Sequence, residues 1–326
     1  MEQQNSFLSN MVKKIGLQKL IAIAVLILIY VFFAISSPMF RTTNTLVSIF
    51  DSSYYIGFLA IGVTFVIITG GIDLSIGTVM MCSAIVGGVL HNNHNVPLWI
   101  ALIVMIIVGG LFGLLNGIMI AKFKLPAFIA TLGTMMISRG LGSIISNVQS
   151  TSFPLRDSEN GWFRYIFRTS NNFPTGIIVL IVTAIIAAIV LNKTMIGRYI
   201  FSIGSNSEAT RLSGVNVVKW QTMAYVISGL FAGIAGIAYA ASFTTILPGS
   251  GGGMELDAIA AVVVGGTSLA GGVGSIAGTI IGVYIMGVLQ VGLPFIDLQP
   301  HYQTFITGFV VILAVYADIY RNRKNS

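Results

Sequence analysis

Apolar runs of membrane-spanning length alternate with short polar segments along nearly the whole chain. A bilayer core needs about 20 mostly apolar residues of helix. Runs near that length fall at 20–36, 46–69, 73–90, 98–120, 125–146, 174–192, 220–243, 257–271, 275–293 and 302–319. The pattern predicts an all-α polytopic membrane protein with about ten (8–10) transmembrane helices. A single membrane domain over 20–319 then lies between a tail at 1–19 and a basic tail at 320–326.

One polar island, FSIGSNSEATRLSGVN at 201–216, interrupts this pattern with a helix signal of its own. Ser205 and Glu208 have capping-box spacing, in which hydroxyl and carboxylate each satisfy an orphaned backbone N–H. Gly214 supplies the left-handed residue that ends a helix. The island predicts a helix of about two turns, which is marginal alone in water and therefore packs against something.

Composition enforces the class. The chain of 326 residues is 55% hydrophobic and only 8% charged, against about 25% charged in soluble domains, with mean hydropathy +0.91. So few charges cannot cover a soluble surface. Lys13, Lys14 and Lys19 precede the first apolar run, and no small-residue cleavage pattern follows it; Ser36, Ser37 and Pro38 lead into Met39 and Phe40. The reading is an uncleaved first span.

The positive-inside rule orients the spans. With the N-terminus inside, inner segments hold twelve Lys and Arg residues and outer segments hold four, Arg41, Arg156, Arg164 and Arg168, while Arg139 lies within a run. Both termini and the 193–219 loop are thereby assigned to the cytoplasm, and the 147–173 loop to the outside. That outer loop mixes charges with Trp162, Phe163, Tyr165 and Phe167. It either lies at the lipid interface or forms a platform for an external protein.

Glycine marks two weak points. TGGIDLSIG (69–77) and VGGTSLAGGVGS (264–275) resemble each other and hint at an internal duplication. Each is either a tight turn or the break of a discontinuous helix. Gly109, Gly113 and Gly117 recur every fourth residue, as do Gly274, Gly278 and Gly282. Such ridges let helix backbones approach closely, at a dimer seam or within one subunit.

Ionisable residues inside spans are functional candidates because they are expensive there. Asp51 opens the second run, Asp73 follows Gly70 and Gly71, and Arg139 lies toward the outer end of the fifth run. Asp73, with Ser75, is placed either to cap the next helix or to handle a proton or solute. Glu255 and Asp257, near Gly265 and Gly266, are placed to cap or pair at the outer rim. Asp318 and Arg321 have the spacing of a helix-end ion pair. His91 and His94, in HNNHN, lack companion ligands and read as a solvated turn. Cys82 stands alone, which excludes an internal disulfide. No glycine-rich loop ends in Lys-Ser/Thr, so the chain carries no nucleotide motif of that type. Energy for uphill transport would come from another subunit.

GGIDLSIG (70–77), KLPAFIATLGTMMISRGL (124–141), GRYIFSIGSNSEATRLSGVNV (197–217) and ELDAIAAVVVGGTSLAGGVGSIAGTIIG (255–282) occur in order along the chain. Together they resemble ribose-type ABC importer permeases of the branched-chain amino acid and ribose permease superfamily. The resemblance implies a pore subunit in the bacterial cytoplasmic (inner) membrane that takes up a simple sugar by alternating access. It implies no cofactor in this chain, because ATP-Mg is held by a cytoplasmic ABC ATPase. It also implies a periplasmic or lipid-anchored sugar-binding protein, a second permease copy or related permease, membrane lipid around the bundle, and no nucleic acid. The cytoplasmic loop, through Gly204, Asn206, Glu208, Ala209, Arg211, Leu212, Ser213 and Gly214, would carry the helix that docks on the ATPase. Gly70, Gly71, Asp73, Ser75, Glu255, Asp257, Gly265 and Gly266 remain pathway, gating or structural candidates. The alternatives are a nucleoside, a signalling furanose or an amino acid as cargo, and an ion-coupled carrier working alone.

Overall fold

A computed structural model describes residues 17–168, 173–299, 301, 302, 304–310, 312, 313 and 316. The 1–16 stretch, residues 303, 311, 314, 315 and 317–319 of the run at 302–319, the Asp318–Arg321 pair and the basic tail fall outside the described residues. Besides the helical residues at 304–310, the described α-helices are α1 (Leu17–Ser36), α2 (Thr43–Ile68), α3 (Ile76–His94), α4 (Leu98–Gly117), α5 (Ala127–Ile145), α6 (Gly176–Lys193), α7 (Met195–Ser205), α8 (Ser207–Leu212), α9 (Val217–Ser242), α10 (Met254–Val264) and α11 (Ile276–Gly292). α4 runs on through a π turn at Ile118–Lys122. The only described sheet is one antiparallel pair, β1 (Thr151–Ser152) with β2 (Thr245–Ile246).

Seven helices, namely α1, α2, α4, α5, α6, α9 and α11, are long and apolar enough to cross a membrane. Two of the expected spans differ in kind. α3 begins only at Ile76, after a buried non-helical stretch that holds Asp73 and Ser75. The run at 257–271 is not one helix: α10 ends at Val264, and its 11 residues reach about 16 Å, half of a bilayer core. Gly265 to Gly271 kept the run apolar, but glycine at φ +93 (Gly266) and φ +87 (Gly271) breaks the helix there.

α2 is the axis of the bundle. Nearly every residue from Ser53 to Ile68 is buried, and α9 and α11 pack along it. Both glycine ridges prove to be contacts within this chain. A Cβ on Gly109 or Gly113 would strike the backbone of α9 at Gly229 and Tyr225, and one on Gly117 would sit 2.8 Å from Thr222 Cα. Added Cβ atoms on Gly278 and Gly282 would strike carbonyls of Gly265 and Ala261, while one on Gly274 would meet the Ile68 side chain.

The connections separate to two ends. At one, Gly272 donates its N–H to the Ile68 carbonyl (2.8 Å), joining the 69–75 and 265–275 stretches. At the other, Asn92 Nδ2 donates to the Ser152 carbonyl (2.7 Å), Arg168 pairs with Asp51 (3.0 Å), and the rings of Phe40 and Phe295 meet at 5.5 Å. This is the grouping of loops that alternating spans require, and the positive-inside expectation would make the first end the inner one. The described part of the 147–173 loop, residues 147–168, folds back onto the bundle. Phe153, Phe163 and Phe167 are buried, and Arg164 donates to the carbonyls of Pro154 (2.7 Å), Ala241 (2.8 Å) and Phe153 (3.3 Å). Burial pulls the Arg164 pKa below its ordinary value. Trp162 and Tyr165 stay exposed.

The sidedness is directly testable with Cys82 replaced by alanine. In sealed right-side-out vesicles an impermeant thiol reagent should modify Glu159→Cys and leave Ala209→Cys untouched. Modification of both from one side overturns the threading.

Candidate functional site

The helix expected in the polar island is α8, but its cap is shifted by one residue. α7 continues through Ser205, whose hydroxyl donates to the Phe201 carbonyl (2.9 Å) and is spent closing that helix. Asn206 is the first extended residue (φ −162), and its Oδ1 accepts the Ala209 N–H at 2.9 Å. The Ser205–Glu208 capping box is therefore not formed. Arg211 instead grips the Glu208 carboxylate with Nε (3.0 Å) and Nη2 (2.5 Å). That contact holds the Glu208 carboxyl below its usual range and raises the Arg211 guanidinium. With a lowered carboxyl, the pair is complete above the ordinary carboxylate range and is lost only as pH falls through the lowered value. It is intact at neutral pH.

Only Thr210 of α8 is buried; its hydroxyl meets Ser202 Oγ and the Asn206 carbonyl, each at 2.7 Å. Glu208, Ala209, Arg211, Leu212 and Ser213 all face outward, Leu212 with 74% exposure. Gly214 (φ +83) ends the segment as expected. The result is a small, rigidly tethered knob with one bare leucine.

Just before the knob, Gly204 is wedged against backbone. A Cβ there would overlap the Ile68 carbonyl and the Gly272 N–H. These are the atoms that join the two glycine stretches. Both stretches start with the same Schellman motif. Gly70 (φ +77) and Gly71 donate to Ile67 and Val66 at 2.9 and 3.2 Å; Gly266 and Thr267 donate to Val263 and Val262 at 2.9 and 3.1 Å. Gly265 is pressed on Gly278. The structure thus brings Gly70, Gly204 and the 271–272 turn together at the inner end, with the α8 knob attached.

From Gly71 the chain turns into the bundle, where a Cβ would stand 2.5 Å from Tyr225 Oη. Asp73 follows, 1% exposed. Its Oδ1 accepts the Ser75 N–H (3.0 Å) and Ser75 Oγ–H (2.6 Å), and its Oδ2 accepts from Ser228 (3.1 Å). Asn116 Nδ2 donates to Ser75 Oγ (2.9 Å), and Thr134 donates to Asn116 Oδ1 (2.6 Å). One carboxylate therefore ties α3, α4, α5 and α9 together. Asp73 binds the N–H of Ser75, the residue just before α3, and no side chain caps the helix itself. Sequence reasoning missed Asn116, Thr134 and Ser228; the signal available for Asn116 was a lone amide in the apolar run LFGLLNGIMI.

Glu255 lies inside the bundle instead of at the rim. It is 7% exposed, its Oε1 accepts the Gly253 N–H (2.9 Å), and its Oε2 occupies the space left by the missing side chain of Gly77. The starts of α3 and α10 thus meet, each carrying its own carboxylate. Asp257 lines a gap beside Gln290 and Thr307. His91 and His94 lie in the last helical turn of α3 and not in a separate turn, with Asn95 ending the helix and His91 Nδ1 2.9 Å from the Val96 carbonyl. No cluster of metal-ligating side chains occurs among the described residues.

Apolar helices of spanning length around a buried polar junction are the build of a multi-pass membrane protein. The family model described as branched-chain amino acid transport system / permease component matches residues 45–315, and the chain belongs to that family. It is 38% identical over 304 residues to the ribose import permease protein of Escherichia coli (strain K12), covering 92% of each chain. It is 36% identical over 309 residues to the ribose import permease protein of Bacillus subtilis (strain 168), covering 93% of each. The fructose import permease protein of Rhizobium meliloti is 34% identical over 283 residues, 86% of this chain and 79% of that one. No solved structure matches the chain.

Removing the Asp73 carboxylate strands buried donors on Ser75 and Ser228, at about 1–3 kcal/mol for each unsatisfied group. Asp73→Ala should lower the thermal midpoint of the detergent-solubilised permease, and Asp73→Asn should lower it less. An unchanged midpoint for the alanine variant would contradict the junction. Gly204→Val should cost about 1–3 kcal/mol by overpacking, read by the same melt.

Proposed function

We propose that the chain is the transmembrane pore subunit of an ATP-driven, binding-protein-dependent importer of a monosaccharide, ribose or another simple sugar. In this reading a cytoplasmic ABC ATPase binds and hydrolyses ATP, and the permease itself is not an enzyme and holds no cofactor. A loaded sugar-binding protein docks outside, and two permease copies, or this one with a related permease, enclose the path. Both termini are cytoplasmic.

The observation that carries the reading is the junction of α8 with Gly204 and the two glycine stretches. A force applied to the exposed face of α8 reaches Ile68 and Gly272 through backbone contact, and Asp73 lies five residues beyond Ile68. Displacing α8 therefore displaces the start of α3 and the helices that Asp73 ties to it. ATP and the partners drive alternating access only through their different affinities for the two states.

The names of the relatives support a sugar, and one feature of the bundle favours uncharged cargo over the amino acids in the family's description. Helix N-termini inside a membrane attract anionic solute groups. Here the starts of α3 and α10 each have a carboxylate, Asp73 and Glu255, bound to the N–H of the residue just before the helix, and these disfavour an anionic group there.

The assigned docking role makes α8 sensitive to charge order. Glu208→Lys combined with Arg211→Glu keeps an ion pair within α8 but reverses the charges a partner meets. Reconstituted with its ATPase and binding protein, this variant should insert normally and lose sugar uptake at least tenfold. Full uptake would sink the coupling role, and uptake by the permease in liposomes without any ATPase would favour an ion-coupled carrier.

A further inference from the structure

Two features of one wall of the bundle are incompatible with lipid. The first is Arg139. α5 turns Thr131, Thr134, Ser138 and Gly142 inward, and Ser138 donates to Thr78 Oγ1 at 2.8 Å. Its opposite face is exposed along Gly133, Met136, Ile137, Arg139 and Gly140, and neither glycine has anything within 4 Å of an added Cβ. Arg139 lies six residues before the end of α5, about 9 Å inside it. An arginine at such depth faces water, a partner or the bundle interior in preference to hydrocarbon.

The second feature is the backbone beside it. A Cβ on Gly249 would stand 3.6 Å from Arg139 Nε, which places the 247–253 loop against this face. The loop is not helical, yet it reaches into the bundle: a Cβ on Gly251 would stand 2.6 Å from the Gly77 carbonyl, near the buried start of α3. Gly252 and Gly253 are exposed and open on a cavity of about 520 Å³ shared with Asp257 and Thr307. Irregular exposed backbone at membrane depth survives only where it is covered by protein or lines a water-filled cavity.

We propose that the outward face of α5 and the 247–253 loop form one wall of the solute path, and that Arg139 hydrogen-bonds the solute as it passes. The opposite wall is the second permease. Guanidinium offers a planar fork of five N–H donors and no acceptor, which matches the closely spaced hydroxyl and ring oxygens of a monosaccharide. A single contact of this kind orients a neutral polyol without holding it tightly. The assignment of the solute rests on the sugar-importer reading; the assignment of the wall does not.

The test uses the full importer, permease with ATPase and binding protein, in proteoliposomes, with D-ribose as probe. In the Cys82→Ala background, Gly140→Cys and Gly252→Cys should react with a charged methanethiosulfonate reagent, and Ile185→Cys on the exposed apolar face of α6 should not. Arg139→Gln should reduce ribose uptake about tenfold, the worth of one charged hydrogen bond. Arg139→Lys should recover part of that loss, and stimulation of ATP hydrolysis by the loaded binding protein should stay within twofold in both. Labelling at Gly140 and Gly252 no faster than at Ile185 overturns the wall. Full uptake by Arg139→Gln, with labelling retained, makes Arg139 an interface anchor only and overturns the contact. If the wild-type importer carries no ribose while the labelling pattern holds, the ribose reading fails and the wall stands.

Discussion

A helix that begins or ends inside a bundle in the bilayer leaves carbonyls and amides that no water can reach, and each one left unpaired costs several kcal/mol. α3 and α10 both begin inside the bundle, α2 and α10 end at glycine-rich stretches that pack on each other, and the architecture is largely a response to that. The Schellman turns at Gly70 and Gly266 return two amides each to the helices they end. The Ile68 carbonyl is then met by Gly272, and the Ser75 amide by Asp73. Because the partners that complete these stretches come from distant segments, satisfying the backbone also fixes which helices are neighbours.

Small residues are the other half of that solution. Between apolar helices in lipid there is no hydrophobic drive to associate, so contact must come from close packing and hydrogen bonds. α4 and α9 approach at Gly109, Gly113 and Gly229 closely enough that a Cβ on any of them would strike the facing backbone. Thr64 and Thr279 share a hydrogen bond of 2.8 Å where α2 meets α11. The ridges are spent inside the subunit, so pairing between permeases must use other surfaces.

Hydropathy made the long spans legible, since seven of the expected runs are helices of spanning length. It failed at α10 because it weighs composition and is blind to φ: VGGTSLAGG was counted into an apolar run while Gly266, Gly271 and Gly272 turn left-handed. Asp73 was recognisable as an expensive residue, but Asn116 and Ser228 lie 43 and 155 positions away in sequence, and no local pattern links them. The cap of α8 was misplaced by one residue for a tertiary reason. α7 extends through Ser205 because Gly204 docks on α2, and a local capping rule has no knowledge of that contact. The island itself, its exposure and its terminating Gly214 were readable from the sequence.

The glycine at 204 has a mechanical consequence. Joints made of side chains have slack, since a rotamer can swing and absorb an ångström before anything behind it moves. Where Gly204 meets Ile68 and Gly272, main chain bears on main chain, and such atoms yield only through changes in the φ and ψ of hydrogen-bonded segments. The joint therefore has almost no lost motion. A side chain at 204 has no room, so α7 cannot shift on α2 without moving the main chain of the buried stretch as well.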